Sequence, residues 1–282
     1  MTTFGDRLAA VIADRGPLCV GIDPHAHLLA GWQLPDTAAG VREFGLRVVE
    51  AAADRVGIVK PQVAFFERFG SAGFAALEEV LAASRAAGLL VIADAKRGDI
   101  GSTMDGYAAA WLTPGAPLEA DALTVSPYLG AESLHETVGT AMRAGKGLFV
   151  LAATSNPEAH VLQSARSADA AAPAGETVAA RVAGDVMRMN GPSESLGSVG
   201  LVVGATIDRH AVGLSDEVLN RAPILAPGFG AQGAQLTDAP QLFGAVLPQV
   251  LPSVSRSVLG AGPDGVAGAI DVAVAEVASW AR

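Results

Sequence analysis

Three charged residues, Asp94, Lys96 and Asp99, directly follow an apolar run in the segment VIADAKRGDIGST. Side chains two apart on a strand share a face, so Asp94 and Lys96 would point the same way while Ala95 points away. An isolated Asp-x-Lys is most often a solvated ion pair. In the mouth of a barrel, however, a carboxylate–ammonium array shifts pKa values for proton transfer. The segment therefore predicts an acid–base centre.

Two other charged residues close apolar runs. Asp23 follows Leu18–Ile22, and Lys60 follows Gly57–Val59. For Asp23, a turn-forming carboxylate ahead of Pro24 and a place in the site are equally open interpretations. Lys60 could simply extend into solvent, but its position at the end of a second strand favours a functional role.

A glycine-rich segment, LAPGFGAQGAQ, follows a later apolar run. Glycines let backbone N–H groups approach an oxyanion closely, as phosphate sites after the seventh strand of a barrel require. Arg256, in the next run, offers a planar guanidinium that can bind a phosphate through two hydrogen bonds. Together the two features predict a phosphate site.

Strand–helix alternation is the organisation that would bring these residues together. Alanine-rich stretches of helical period, such as Gly40–Ala53, Gly73–Ala87 and Thr177–Met189, separate short β-rich runs. The eight runs are Leu18–Ile22, Arg55–Val59, Leu89–Ala93, Ala122–Val125, Gly147–Leu151, Val199–Val203, Pro223–Leu225 and Ser253–Val258. Eight such units predict an α/β fold of the (β/α)₈ TIM-barrel type, whose chemistry lies at the C-terminal ends of the strands.

The length of 282 residues leaves two domain arrangements open. The Ala/Ser/Pro-rich segment Gln163–Pro173 could link two domains. A single catalytic barrel over residues 1–282, with a loop or helix insertion around residues 156–190, is the favoured prediction.

Composition excludes several classes of protein. A net charge of −10 argues against a general nucleic-acid surface. The single cysteine, Cys19, excludes an intrachain disulfide and a multi-thiolate metal site. No apolar stretch has the length of a secretory signal or a membrane span, so we expect a cytoplasmic protein. Apart from the pair His25 and His27, two residues apart in an expected loop, the five histidines lack metal-ligand spacing. They are expected at the surface, and no metal site is predicted.

The pattern formed by Asp94, Lys96, Asp99, Ile100 and Thr103 resembles the signature of the orotidine 5′-phosphate decarboxylase family. The resemblance extends through VGIDP at 20–24, VKPQ at 59–62, LAATSNP at 151–157, APGFGAQG at 226–233 and SRS at 255–257. It is similar to the longer bacterial branch of that family. It implies a cofactor-free carboxy-lyase that converts orotidine 5′-monophosphate to UMP.

The resemblance also implies roles for individual residues. An alternating charge network would be formed by Lys60, Asp94, Lys96 and Asp99, with Lys96 as the proton donor. The resemblance further implies a homodimer with shared active sites, in which Asp99 and Thr103 would belong to the partner's site, and it gives Ile100 as a substrate-binding residue. Asp23 and Lys60 would contact the ribose of the substrate, and Ser155 would contact the pyrimidine. The phosphate would be bound by Arg256, Gln232 and backbone amides around Gly230. Thr154 and Asn156 offer hydrogen bonds similar to that of Ser155.

Two alternatives stay open. One is a Mg²⁺-dependent sugar-phosphate decarboxylase or aldolase of the same barrel family, which would need an acidic metal ligand where this sequence has Lys60. The other is a catalytically silent barrel that binds a nucleotide. The complete charge tetrad favours the enzyme over both.

Overall fold

A closed barrel of eight parallel strands organises the chain, of which the computed structural model describes residues 2–168, 173, 175–192 and 195–281. The strands pair in chain order, and β8 pairs again with β1. They are β1 Cys19–Ile22, β2 Ile58–Pro61, β3 Leu90–Arg97, β4 Ala122–Val125, β5 Gly147–Ala153, β6 Val199–Val203, β7 Ile224–Pro227 and β8 Val250–Val254. The predicted (β/α)₈ barrel is confirmed, and the two-domain alternative is wrong because one closed sheet contains strands from the whole chain.

Helices pack around the barrel and connect its strands. They are α1 Phe4–Arg15, α2 Ala26–Gly31, α3 Ala38–Ala52, α4 Ala64–Glu67, α5 Gly70–Ala86, α6 Gly101–Leu112, α7 His135–Arg143, α8 Ala159–Gln163, α9 Val178–Asn190, α10 Asp216–Leu219, α11 Ala239–Phe243, α12 Arg256–Leu259 and α13 Gly262–Ala278. Short 3₁₀ helices span Ala131–Leu134, Leu236–Asp238, Gly244–Gln249 and Ser279–Ala281. Threonine N-caps begin several helices: Thr37 accepts from Gly40 N–H before α3, and Thr177 accepts from Ala180 N–H before α9.

Helix α1 closes the N-terminal end of the barrel. Its buried residues Phe4 and Leu8 join a cluster of inward-facing strand residues that includes Phe149. The rings of Phe4 and Phe149 meet edge to face with their centroids 6.2 Å apart. A Cβ at Gly147 would lie 2.3 Å from Phe4, so the close approach of the helix requires a glycine there. With this end filled, the C-terminal ends of the strands are left to form a cavity.

The inward positions of the strands change from apolar to polar along the barrel axis. On β2, Ile58 belongs to the buried inner cluster and Lys60 to the cavity wall; on β3, Ile92 and Asp94 do the same. Because inward side chains recur every second residue, the strands that build the apolar layer also place charged groups directly above it. The barrel therefore supplies a buried apolar layer beneath a polar one.

The position of the eighth strand differs from its prediction over Ser253–Val258. The strand covers Val250–Val254 and ends where Ser255 has φ −141° and ψ −88°, outside the extended region. The N–H groups of Val258 and Leu259 then donate to Ser255 O, which begins a helical turn. Arg256 is therefore the first residue of α12 and lies just beyond the strand.

The connection between β5 and β6 is the longest segment between two consecutive strands. It contains α8 and then α9, which packs against both strands. Between the helices an isolated antiparallel bridge pairs Arg166 with Thr177. Part of the Gln163–Pro173 segment, residues 169–172, lies outside the described residues.

None of the helices in the described part of the chain combines the length and apolar character that crossing a membrane requires.

Candidate active site

The carboxylate of Asp94 lies at the centre of the polar layer and accepts hydrogen bonds from four side chains. Its Oδ2 accepts from Lys60 Nζ and from Gln62 Nε2, each at 2.9 Å. Its Oδ1 accepts from Lys96 Nζ at 2.5 Å and from Thr124 Oγ1 at 3.0 Å. The Lys60 side chain is 7% exposed, whereas that of Lys96 is 45% exposed. A buried carboxylate thus lies between one buried ammonium and one that faces the cavity.

The two buried members of this centre stabilise each other's charge. Burial disfavours the Asp94 carboxylate, but attraction to Lys60 and Lys96 outweighs burial and holds the pKa of Asp94 well below its usual range. Burial also opposes the Lys60 ammonium, yet attraction to Asp94 and Asp23 raises the pKa of Lys60 above its ordinary value. Both groups therefore stay charged at neutral pH.

A bulge in β3 sets the position of Lys96. The register between β3 and β4 shifts between Ala93 and Arg97, which pair with Leu123 and Val125, so four residues of advance along β3 correspond to two along β4. Lys96 adopts a φ of +48°, in the left-handed region that side-chain-bearing residues rarely occupy. Such backbone conformations concentrate at functional sites because the surrounding structure must hold them in place.

A cavity of about 640 Å³ opens above the Asp94 centre at the C-terminal ends of the strands. Its wall includes residues from the ends or following loops of most strands, as expected for the ligand site of this fold. Those that the sequence had singled out are Asp23, Lys60, Asp94, Lys96, Thr154, Ser155, Gln232 and Arg256.

The glycine-rich loop after β7 forms one side of this cavity. Gly228 and Gly230 have φ values of +118° and +75°, which only glycine adopts readily. The N–H of Gly230 donates to Ala234 O at 2.8 Å, so this amide is used within the loop, while its neighbours Ala231 and Gln232 line the cavity. Gln232 Oε1 accepts from Ser155 Oγ at 2.9 Å, which joins the loops after β5 and β7.

Asp23 and Ser255, which follow the neighbouring strands β1 and β8, approach each other across Gly21. A Cβ at Gly21 would lie 3.3 Å from both Asp23 Oδ1 and Ser255 Oγ, so the strand passes close beneath both side chains. Neither oxygen has a hydrogen-bond partner in the described structure although both are buried. Buried polar atoms are usually paired, and a ligand hydroxyl here would satisfy both.

The expectation that the histidines lie at the surface is wrong for His25. It is half-buried in the cavity wall, with its ring centroid 4.2 Å from that of Phe65. Burial, together with neighbouring positive groups, lowers the pKa of His25, and the nearby Asp23 opposes the shift. His27, His135, His160 and His210 are exposed.

Asp99, Ile100 and Thr103 do not join the cavity wall of their own chain. Asp99 Oδ1 accepts from Ile100 N–H at 2.8 Å at the start of α6, and the described residues show no ion pair between Asp99 and Lys96. Ile100 is 61% exposed and Thr103 is exposed on α6. The single chain therefore brings together three of the four predicted network charges.

Several polar residues of the cavity wall were not assigned a role from the sequence, among them Gln62, Thr124 and Ser255. Gln62 lies two residues beyond Lys60, so alternation along β2 was a signal that could have identified it. Thr124 resembles an ordinary β-branched strand residue, and its role depends on the β3 bulge. Among the described residues, no group of three His, Cys, Asp or Glu side chains is arranged to hold a metal ion.

Comparison with known proteins identifies relatives over nearly the whole chain. Residues 16–269 match the model of the orotidine 5′-phosphate decarboxylase / HUMPS family. An orotidine 5′-phosphate decarboxylase from Salinispora tropica is 53% identical over 278 residues, covering 98% of this chain and 97% of the relative. One from Nocardioides sp. is 57% identical over 260 residues, covering 92% of each.

Solved structures agree with these sequence matches. A crystal structure described as an orotidine 5′-phosphate decarboxylase from Streptomyces avermitilis superimposes with a TM-score of 0.92 at 50% identity, covering 99% of this chain and 96% of that one. The OMP decarboxylase of Leishmania donovani gives a TM-score of 0.76 at 34% identity, with coverage of 99% and 98%. On this full-length similarity of sequence and structure, the chain belongs to the orotidine 5′-phosphate decarboxylase family.

Proposed function

We propose that this protein decarboxylates orotidine 5′-phosphate to UMP and CO₂, and so acts as a carboxy-lyase of de novo pyrimidine biosynthesis. The observation that carries the proposal is the Asp94 carboxylate held between Lys60 and Lys96 in the floor of the cavity. Relatives at 53% and 57% identity carry the same enzyme name. Spectrophotometric loss of orotidine 5′-phosphate on addition of the purified protein is the direct test.

The chemistry requires stabilisation of an anion in the plane of the pyrimidine ring. When the bond from C6 to the carboxylate breaks, its electron pair stays on C6, where no adjacent carbonyl can absorb the charge. The Lys96 ammonium supplies a fixed positive charge beside that carbon. It then transfers a proton to C6 as CO₂ leaves, and solvent restores the proton to Lys96.

Asp94 has two roles in this scheme. Its Oδ1 orients the Lys96 ammonium at 2.5 Å, and Lys60 on the other oxygen keeps the carboxylate ionised. An ionised Asp94 beside the substrate carboxylate would also repel that group in the ground state. These steps use side chains of the protein and require no cofactor.

The remaining cavity residues divide into contacts with the three parts of the nucleotide. Asp23 and Lys60 hold ribose hydroxyls, a role supported by the unpaired Asp23 Oδ1. Ser155 binds the pyrimidine. Arg256, Gln232 and backbone amides beside Gly230 bind the phosphate.

A homodimer with shared active sites completes the proposal. Asp99, Ile100 and Thr103 would enter the partner's site, which is consistent with their position outside their own cavity. Ile100 at 61% exposure, Tyr128 at 77% and Leu129 at 53% give the loops after β3 and β4 an exposed apolar surface that a second copy could cover. A cytoplasmic location also remains a prediction.

Metal independence separates this function from the Mg²⁺-dependent members of the barrel family. Lys60 Nζ lies 2.9 Å from Asp94 and would repel a cation at that carboxylate. We expect EDTA to leave turnover of orotidine 5′-phosphate unchanged, as measured by the same absorbance assay. A Mg²⁺-dependent enzyme treated in parallel controls for chelation. Activity that EDTA abolishes and Mg²⁺ restores would contradict the proposed mechanism.

Replacing Arg256 by alanine should lower kcat/KM for orotidine 5′-phosphate by about a hundredfold or more, since a charge-assisted contact to phosphate is lost. Turnover of phosphate-free orotidine should change little. Steady-state kinetics on both substrates measure the difference. Arg42→Ala is the matched control because Arg42 pairs with Glu79 on the surface, away from the cavity wall.

Equal losses on both substrates would remove Arg256 from the phosphate site. The silent-barrel alternative predicts nucleotide binding without turnover in the unmodified protein, so the absorbance assay distinguishes it from the proposed enzyme.

A further inference from the structure

Thr124 is the residue of β4 that faces the β3 bulge. Ala93 pairs with Leu123 and Arg97 pairs with Val125, so three residues of β3 lie opposite Thr124 alone. This is a mismatch that leaves backbone groups without their usual ladder partners. The side chain of Thr124 must therefore supply what its backbone does not.

The Thr124 hydroxyl contacts both functional residues of the bulge. Its Oγ1 accepts from the backbone N–H of Lys96 at 2.9 Å and donates to Asp94 Oδ1 at 3.0 Å. A hydroxyl has one hydrogen to donate, and the low pKa of Asp94 keeps that carboxylate an acceptor. The direction of both bonds is consequently fixed. Thr124 is 1% exposed, so water competes little for either bond.

The Thr124 hydroxyl thus supports Lys96 at two points: directly at its backbone, and through Asp94 at its ammonium. It holds the backbone of Lys96, whose φ of +48° needs external support. It also holds Asp94 Oδ1, which is the oxygen that accepts from Lys96 Nζ. Removal of the hydroxyl would free the main chain of Lys96 and loosen the carboxylate that orients its ammonium.

We propose that Thr124 is a positioning residue that sets the location of the Lys96 ammonium for proton delivery to C6. The inference rests on the proposed function. Thr124 acts through Lys96 and Asp94, so it should influence the reacting centre more than the binding of the nucleotide. A small displacement of a reacting group is enough to slow an enzyme strongly.

The test compares Thr124→Val, which removes the hydroxyl and keeps the branched shape, with Thr124→Ser, which keeps the hydroxyl. For Thr124→Val we expect kcat to fall about ten- to a hundredfold, while KM for orotidine 5′-phosphate and Kd for UMP change less than about threefold. Thr124→Ser should retain kcat within about threefold of the unmodified protein. The affinity of a UMP analogue with an anionic oxygen at C6 should fall with kcat, because that oxygen depends on Lys96.

Amide hydrogen exchange provides a readout that does not depend on activity. The Lys96 amide should be protected in the unmodified protein and in Thr124→Ser, and exchange faster in Thr124→Val. If Thr124→Val fails to fold, the comparison of unmodified protein with Thr124→Ser and Thr124→Ala replaces it.

Normal kcat in Thr124→Val would overturn the proposal. Equal losses of kcat in the valine and serine variants, or a Lys96 amide that is unprotected in the unmodified protein, would also overturn it. Absence of turnover in the unmodified protein would instead contradict the proposed function, and the exchange experiment would still decide whether Thr124 holds Lys96.

Discussion

Replacing Lys96 by alanine is expected to lower kcat for orotidine 5′-phosphate by at least about three orders of magnitude, or ~4 kcal/mol of transition-state stabilisation. The loss has two sources. Fixed electrostatic stabilisation of a developing anion is worth about 10²–10³ in kcat, and general acid catalysis contributes about 10²–10⁴. Single-turnover kinetics would measure the chemical step directly, and binding of UMP should be largely retained because the phosphate contacts remain.

The structure makes this variant interpretable because the rest of the centre survives it. Asp94 would keep its bonds to Lys60, Gln62 and Thr124, and the Lys96 side chain is already 45% exposed. Lys96→Met keeps the length of the side chain without its charge and should be equally inactive. A normal melting temperature would control for folding. Retention of more than about a tenth of kcat, only ~1.4 kcal/mol, would remove Lys96 from its assigned role.

The parts of the site that the sequence predicts are those governed by alternation along a strand. Alternation predicts that Asp94 and Lys96 share a face because they are two residues apart. The structure joins their side chains at 2.5 Å, although the β3 bulge and not regular alternation sets the position of Lys96. Lys60 could be placed beside them because the ends of parallel strands meet at one end of a barrel. The fold was predictable for a similar reason: eight β-rich runs separated by helical periodicity are consistent with few other topologies.

The features that sequence patterns did not predict depend on contacts distant in the chain. The bulge at Lys96 contains no glycine that would signal a positive φ. The role of Thr124 exists only once that bulge lies opposite it. The predicted eighth strand, Ser253–Val258, lies too far along the chain. Pro252 lacks an N–H and is a weak strand signal, yet Pro252 lies within β8 and pairs with Ala226.

Asp99 is the member of the predicted charge network that lies outside the cavity of its own chain. Its carboxylate has no ion pair with Lys96 within the described chain, and it follows the bulge on a loop whose next residue, Ile100, is 61% exposed. If the family's dimer forms, Asp99 completes the charge network of its partner. The network would then be a property of the assembly, which sequence periodicity alone does not reveal.

Mixing two inactive variants should therefore restore activity. Lys96→Ala and Asp99→Ala homodimers should each be nearly inactive, because every site lacks one member of the network. In a mixed dimer, both defects fall in one site and the other site is intact. Random exchange makes half of the dimers mixed, so activity should recover to about a quarter of that of the unmodified protein. Native mass spectrometry would verify exchange while the absorbance assay follows recovery.

The matched control pairs Lys96→Ala with Asp94→Ala. These residues touch within one chain, with Lys96 Nζ 2.5 Å from Asp94 Oδ1, so every site of their mixed dimer keeps one defect. That mixture should stay inactive under conditions in which the Lys96→Ala and Asp99→Ala mixture recovers. Recovery in the Lys96→Ala and Asp99→Ala mixture alone separates a residue donated across the interface from one that acts in its own chain. If neither mixture recovered despite verified exchange, Lys96 and Asp99 would belong to the same chain's site, and the shared-site proposal would be wrong.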